Sequence, residues 1–325
     1  VRLVDELAPK DPHYPLTYSY RVPGTEQRVV SIGVDHYVVM PPEEGKAMVN
    51  RLGEEVDIYI RDTSRAPQQR LFMIEGGGPY HSPHLQERIE QHEPIIARNL
   101  EGIQTQEQAI SKLGEWAPMM LAAREYHVPL MSPEPTEQEI AQDLREQGYA
   151  PLDIATLLGA REIHTKGRTG EQHDQQRFTL KELFNSLLPA CLHAGWNAER
   201  ATQVRNDFPK LSEAQRPTEA QSFVDAVLPA LNERLQQIAG SNLVNPDYTW
   251  AFHPHDRDMY HQLVTPPPGL SLLGDMNARS VDFRNHYSFD RVNDAVRQGY
   301  SPFLPFGRSH TRSWDPAFAY LYTRL

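Results

Sequence analysis

Two apolar runs near opposite ends of this chain are each followed by the pattern Gly-x-x-His. Residues 28–32 and 302–306 form the runs, and the tetrads that follow them are Gly33-Val34-Asp35-His36 and Gly307-Arg308-Ser309-His310. Short apolar runs of this kind are typical of buried strands. A glycine directly after a strand permits a tight turn or a close approach of the backbone to another group. The Gly-x-x-His tetrads therefore predict two strands that each deliver an imidazole to the rim of a sheet.

A third segment ends in the same way but delivers a carboxylate. Residues 71–74 are apolar, and Glu75 follows them directly before three glycines. The carboxyl ends of parallel strands share one edge of a sheet, where ligands of open α/β sheets commonly bind. We therefore predict that His36, Glu75 and His310 converge on one site.

The order of predicted elements favours an α/β fold. Strands alternate with helices at both ends of the chain, which favours a central, mostly parallel sheet flanked by helices. Residues 17–40 additionally read as a hairpin with a turn at residues 23–26. The middle of the chain is almost entirely helical. We predict a discontinuous catalytic core from residues 1–150 and 265–325, with residues 151–264 forming a helical insertion or cap.

Composition excludes several classes of partner. The net charge of −11 disfavours nucleic-acid binding, which needs a basic surface. There is no apolar run of about 18 residues that could span a membrane, and the first residues lack the apolar core of a signal peptide. Cys191 is the only cysteine, which fits the cytoplasm, although a disulfide-free periplasmic protein is equally allowed. The expected partner is a small-molecule or peptide substrate, and the composition is compatible with a homo-oligomer.

The three converging side chains allow two kinds of chemistry. In the version we favour, His36, His310 and Glu75 hold one divalent ion (Mn, Fe, Co or Zn), which lowers the pKa of a bound water molecule. Two convergent histidines are more naturally ligands than two bases. In the metal-free version, His36 and Glu75 activate water directly. The glycines after Glu75 match neither a phosphate-binding P-loop nor a dinucleotide fingerprint.

The other histidines and the serines of the chain are weaker candidates for an active site than His36 and His310. His253 and His255 lie in a run similar to the ligand run of metallo-β-lactamase-like hydrolases, but an exposed polar loop is the better interpretation. His81 and His84 precede a helix and are expected at the surface. No Gly-x-Ser-x-Gly nucleophile elbow occurs in the sequence. Cys191 lies in an apolar helical context and is expected to be buried.

Four motifs together resemble the TraB/TIKI family of the erythromycin-esterase-like/ChaN-like superfamily. They are a strand with Gly-x-x-His, a strand with Glu-Gly, Gly114-Glu115-Trp116, and Arg284-Asn285 ahead of the second strand with Gly-x-x-His. The resemblance covers residues 18–150 and 280–312 and leaves the helical middle unmatched.

The resemblance implies roles for individual residues. It places His36 and His310 in the two histidine motifs, with Glu75 as their acidic partner. Glu115 matches a further acidic position, and Arg284 matches a late basic residue; both are candidate catalytic residues. The superfamily includes metal-dependent proteases, hydrolases that use a His/Glu pair, and haem-binding proteins, so it indicates a scaffold more firmly than a reaction.

This chain departs from the family pattern in two places. The usual Gly-Thr-x-His is replaced by a tetrad that contains Val34 and Asp35. An Asp-Arg pair found in many members is replaced by the segment 132–135, in which Glu134 could supply the second carboxylate. The sequence thus predicts a metal-dependent hydrolase. Its alternatives are a metal-free esterase-like or non-hydrolytic biosynthetic enzyme that uses a His/Glu pair, and a module that binds haem or a small molecule.

Overall fold

A mixed six-stranded sheet combines strands from the first 131 residues with two strands from the last 25 residues of the chain. The computed structural model describes residues 16–35, 40–62, 69–76, 84–168, 177–249, 269 and 271–325. The strands are β1 (Leu16–Arg21), β2 (Arg28–Val34), β3 (Arg70–Met73), β4 (Leu130–Met131), β5 (Ser301–Gly307) and β6 (Thr323–Arg324). Their order across the sheet is β4-β3-β5-β2-β1-β6.

Most neighbouring strands run parallel. β4, β3, β5 and β2 form a parallel set, and β1 pairs antiparallel with both β2 and β6. The antiparallel β1–β2 pair is the predicted hairpin. The predicted α/β class, with a mostly parallel sheet and flanking helices, is therefore confirmed.

Helices make up most of the rest of the described chain. They are α1 (Pro42–Asp62), α2 (Leu85–Leu100), α3 (Gln106–Leu113), α4 (Ala117–Tyr126), α5 (Glu137–Glu146), α6 (Pro151–Arg168), α7 (Leu180–Ala194), α8 (Ala198–Asp207), α9 (Arg216–Ala239), α10 (Leu272–Arg297) and α11 (Arg308–Leu321). Short 3₁₀ turns occur at Gly114–Trp116 and Phe208–Lys210.

Side-chain caps fix the start of two of these helices. Thr105 precedes α3 and accepts a hydrogen bond from the Gln108 amide, while the Gln108 side chain reaches back to the Thr105 amide. Thr179 and Glu182 make the same reciprocal capping box at the start of α7. Such boxes satisfy backbone amides that have no partner inside the helix.

The chain divides into two compact units. The first, unit 1, comprises residues 1–136 and 285–325, and the second, unit 2, comprises residues 137–284. The predicted boundaries lie at residues 150/151 and 264/265, so α5 and the first part of α10 fall in unit 2 instead of the predicted core. Unit 2 is helical throughout its named elements, apart from one isolated bridge between Arg177 and Thr249.

Each unit has its own apolar core. In unit 1, one cluster covers one face of the sheet with side chains from α1 and α4, and includes Ile32, Leu52 and Met120. A second cluster contains Leu304 and Trp314. In unit 2 the core is built from helices and includes Cys191, which is fully buried as predicted. Among the described helices, none combines the length and the hydropathy that a membrane crossing requires.

Candidate active site

The two Gly-x-x-His tetrads lie on neighbouring strands. β2 and β5 pair in parallel, and Val34 lies opposite Gly307. Both tetrads therefore begin at the same carboxyl edge of the sheet. His36 lies outside the described residues, and Asp35 is the last described residue of the first tetrad.

An ion pair joins the two tetrads directly. Arg308 Nε donates to Asp35 Oδ2 over 3.0 Å, and both side chains are partly buried. A Cβ atom on Gly33 would lie only 3.2 Å from the Cα atom of Arg308, so the first glycine allows β2 and the start of α11 to approach closely. Asp35 thus has a structural role at this edge.

Glu75 reaches the second tetrad from β3. Its Oε2 atom accepts a hydrogen bond of 2.5 Å from the Gly307 amide. Gly307 is the N-cap of α11. A carboxylate at the N-terminus of a helix is stabilised by the aligned peptide dipoles. Glu75 is therefore held at the junction of β5 and α11.

The other carboxylate oxygen of Glu75 faces His310. Glu75 Oε1 and His310 Nε2 are 3.6 Å apart, and the two side chains are 14% and 12% exposed. This separation is longer than a direct hydrogen bond. His310 lies in the first turn of α11, with its ring against those of Phe306 and Trp314. The predicted convergence of Glu75 and His310 is thus present in the structure.

Asn285 fixes the orientation of the His310 ring. Asn285 Oδ1 lies 2.6 Å from His310 Nδ1, so this nitrogen donates the hydrogen bond. The backbone oxygen of Asn285 in turn accepts from Trp314 Nε1 over 3.2 Å. In a neutral imidazole with its proton on Nδ1, the lone pair is on Nε2, the atom next to Glu75. Arg284 was predicted as a site residue and its neighbour Asn285 was not, although both belong to the Arg-Asn pair that carries the family resemblance.

Glu134 contacts the backbone next to Glu75. Its carboxylate Oε2 accepts a hydrogen bond of 2.8 Å from the Gly76 amide, and the residue is 7% exposed. Gly76 follows Glu75 directly, so this hydrogen bond links Glu134 to the peptide group next to Glu75. That Glu134 supplies a second carboxylate to the site stays a prediction.

A buried arginine holds the backbone around Glu134. Arg88 Nη1 donates to the carbonyl oxygens of Ser132 and Glu134, each over 3.2 Å, and Arg88 Nη2 donates to the Tyr287 hydroxyl over 2.6 Å. The Arg88 carbonyl lies 2.8 Å from Nδ1 of His92, and burial lowers the pKa of His92. A neutral His92 beside this guanidinium is therefore favoured.

The other candidate site residues from the sequence are Glu115, Arg284 and the competing histidines. Glu115 is partly buried in the 3₁₀ turn before α4, one residue ahead of Trp116, whose ring packs against Gly76. Arg284 is partly buried on α10 and is the last residue of unit 2, whereas Glu75 and His310 belong to unit 1. His84 is exposed, and His81, His253 and His255 lie outside the described residues.

The described residues supply two donors of the predicted metal site. Within residues 16–35, 40–62, 69–76 and the later described segments, no three His, Cys, Asp or Glu side chains form a group that could hold a metal ion. Glu75 Oε1 and His310 Nε2 nevertheless fit two ligands of one ion, because ligands that are each about 2.0–2.2 Å from a zinc ion lie less than roughly 4.4 Å apart. The hydrogen bond from His310 to Asn285 is the kind of support that metal-bound histidines have.

A separate groove of about 380 Å³ lies between α1 and α4. Its lining includes Glu54, Asp57, Leu121 and Tyr126, and it contains none of the predicted site residues.

Comparison with known protein families, curated proteins and solved structures finds no match for this chain.

Proposed function

We propose that this chain is a hydrolase whose reaction takes place at the Glu75–His310 pair. The observation that carries the proposal is the line of contacts from Glu75 through His310 to Asn285, with separations of 3.6 Å and 2.6 Å. Both reactive side chains are mostly buried yet retain some exposure. The resemblance of the surrounding motifs to the TraB/TIKI family supports the same class of reaction.

In the proposed reaction, His310 is the general base. Asn285 holds the proton on Nδ1, so Nε2 can accept a proton from a water molecule as its oxygen attacks the substrate carbonyl. The carboxylate of Glu75 then stabilises the imidazolium. The same proton passes to the leaving oxygen or nitrogen as its bond to the carbonyl carbon breaks, which returns His310 to its neutral form. Glu75 is itself kept in place by the Gly307 amide.

A metal-dependent version of this hydrolase is the second candidate. The gap of 3.6 Å between Glu75 Oε1 and His310 Nε2 favours it, because a cation between these two atoms would be attracted by both. Glu75, His310 and the predicted ligand His36 would hold the ion, which would supply an activated water molecule. Asn285 would then orient His310 as a ligand.

Hydrolysis of a panel of p-nitrophenyl esters and short peptides tests the proposal. We expect Glu75→Gln and His310→Gln each to lower kcat/KM by about 100-fold or more, the usual contribution of a general acid or base. His286→Gln is the matched control, because His286 is an exposed histidine of the same unit. It is expected to retain wild-type activity and stability.

Metal analysis separates the two versions. Stoichiometric Mn, Fe, Co or Zn in the purified protein, lost in His310→Gln and retained in His286→Gln, supports the metal-dependent enzyme. Activity that survives chelation and metal removal supports the version in which His310 is the base. A Glu75→Gln/His310→Gln double variant with full activity would overturn both. A Soret band in the purified protein would instead indicate the haem-binding alternative.

A further inference from the structure

Polar contacts and chain connections link Glu75 to Glu134 through residues at the carboxyl edge of the sheet. Glu75 contacts His310, His310 contacts Asn285, and Asn285 shares α10 with Tyr287. The Tyr287 hydroxyl accepts from Arg88, which also donates to the Glu134 carbonyl. The Glu134 carboxylate accepts a hydrogen bond from the amide of Gly76, which follows Glu75 in the chain.

The Glu134 carboxylate accepts a hydrogen bond from the Gly76 amide, and this peptide group affects the position of the Glu75 side chain. Gly76 has φ +108°, and its amide donates to Glu134 Oε2. The peptide plane that carries this amide also carries the Glu75 carbonyl, so its orientation determines where the Glu75 side chain starts. The 7% exposure of Glu134 and the two carbonyl contacts from Arg88 keep the acceptor in one place.

We propose that Glu134 is a positioning residue that sets the Glu75 carboxylate between Gly307 and His310 by holding the Gly76 amide. This inference rests on the proposed function in that the positioned group is the carboxylate of the proposed active site. In this role the length of the Glu134 side chain, which lets its carboxylate reach the Gly76 amide, matters more than its charge. A shorter side chain with the same charge should therefore fail, whereas an uncharged side chain of the same length should succeed.

Amide hydrogen exchange at Gly307 tests the proposal without any substrate. The Gly307 amide donates to Glu75 Oε2, so its exchange rate reports whether the carboxylate is in place. Glu75→Ala gives the reference for a lost acceptor. Glu134→Asp retains the charge but has a side chain one methylene shorter, so its carboxylate no longer reaches the Gly76 amide. We expect this variant to speed Gly307 exchange by about 10-fold, which corresponds to a loss of roughly 1.4 kcal/mol of protection.

Glu134→Gln keeps an acceptor oxygen at the original reach, and we expect exchange at Gly307 within about twofold of wild type. Glu101→Asp is the matched control, an exposed glutamate of the same unit given the same truncation. Its Gly307 exchange should equal that of wild type. The proposal is overturned if Glu134→Asp leaves Gly307 exchange unchanged, or if Glu134→Gln speeds it as much as Glu134→Asp does.

The hydrolysis assay then provides an independent measurement. With the best ester or peptide, Glu134→Asp should lower kcat while KM stays near its wild-type value, and Glu134→Gln should restore kcat. If the protein hydrolyses nothing but the exchange pattern is as expected, the proposed function fails and the positioning of Glu75 stands. If hydrolysis depends on Glu75 and His310 while Gly307 exchange is insensitive to Glu134, the positioning role fails alone.

Discussion

At the scale of single residues, Gly76 is the position next to the site where only glycine fits. Its φ of +108° lies in a region that other residues rarely adopt, and an added Cβ atom would lie 2.5 Å from Cζ2 of Trp116. The partly buried Trp116 ring packs against the apolar core, which limits its freedom to move away.

Gly76→Ala is therefore expected to lower the free energy of unfolding by about 1–3 kcal/mol through backbone strain alone. Urea denaturation checks this value. Gly53→Ala is the control, because Gly53 lies in α1 and an added Cβ atom there meets nothing within 4 Å. That change should be neutral or stabilise by about 0.5–1 kcal/mol. Equal effects of the two substitutions would contradict the strain assigned to Gly76.

The sequence predicted which chain segments carry the site better than it predicted the contacts within it. Glu75 and His310 could be proposed together because both follow apolar runs, and parallel strands place such positions at one edge. The hydrogen bonds of Asn285 and Glu134 could not be predicted. They join residues 25 and 58 positions apart, and each depends on the rotation of a helix or the path of a loop that local patterns do not specify.

At the scale of elements, β5 is an unusual central strand because it contains two prolines. Pro302 and Pro305 lie between β3 and β2 and provide no amide for the ladder. The Tyr59 hydroxyl from α1 compensates at one point. It donates to the Ser301 carbonyl and accepts from the Leu71 amide over 3.2 Å, so it bridges β3 and β5. Burial raises the pKa of Tyr59, which keeps the phenol protonated.

Tyr59→Phe is expected to lower the free energy of unfolding by about 1–3 kcal/mol, because it leaves the buried Leu71 amide and Ser301 carbonyl without this bridge. Chemical denaturation measures the loss. Tyr320→Phe, at a side chain that is 89% exposed, is the control and should change stability by less than about 0.5 kcal/mol. A Tyr59→Phe protein as stable as this control would show that the bridge contributes nothing.

Element starts were easier to predict than element lengths. The start of α3 is marked locally, because Thr105 and Gln108 form a capping box there. Residues 56–60 belong to α1, which continues to Asp62, and Val56, Tyr59 and Ile60 are buried on one face of the helix. The spacing of these three side chains is helical, but the window is too short for its period to be distinguished from a buried strand.

At the scale of the whole molecule, two units with separate cores make up the chain. The unit 2 core is helical and contains the only cysteine, Cys191. The cores of unit 1 surround the sheet. The helical middle was predicted from the absence of strand patterns, but its ends were not, since α10 continues without a break across residue 284.

Cys191 can report the opening of unit 2 alone. Its thiol is fully buried, and burial raises the pKa of this thiol to about 12, so it should react with a disulfide reagent only when unit 2 opens. Leu231 on α9 and Leu52 on α1 are both fully buried leucines, one in each unit. Replacing either with alanine should cost about 2–5 kcal/mol in its own core.

We therefore expect Leu231→Ala to speed the reaction of Cys191 by roughly 30-fold or more, the equivalent of about 2 kcal/mol. Leu52→Ala should change the rate by less than about threefold, because the two cores share no residue. Stopped-flow thiol labelling under native conditions gives both rates, and urea denaturation confirms that each variant is destabilised. If both substitutions speed labelling equally, the units unfold as one, and a change in unit 2 would then alter the stability of the Glu75–His310 site as well.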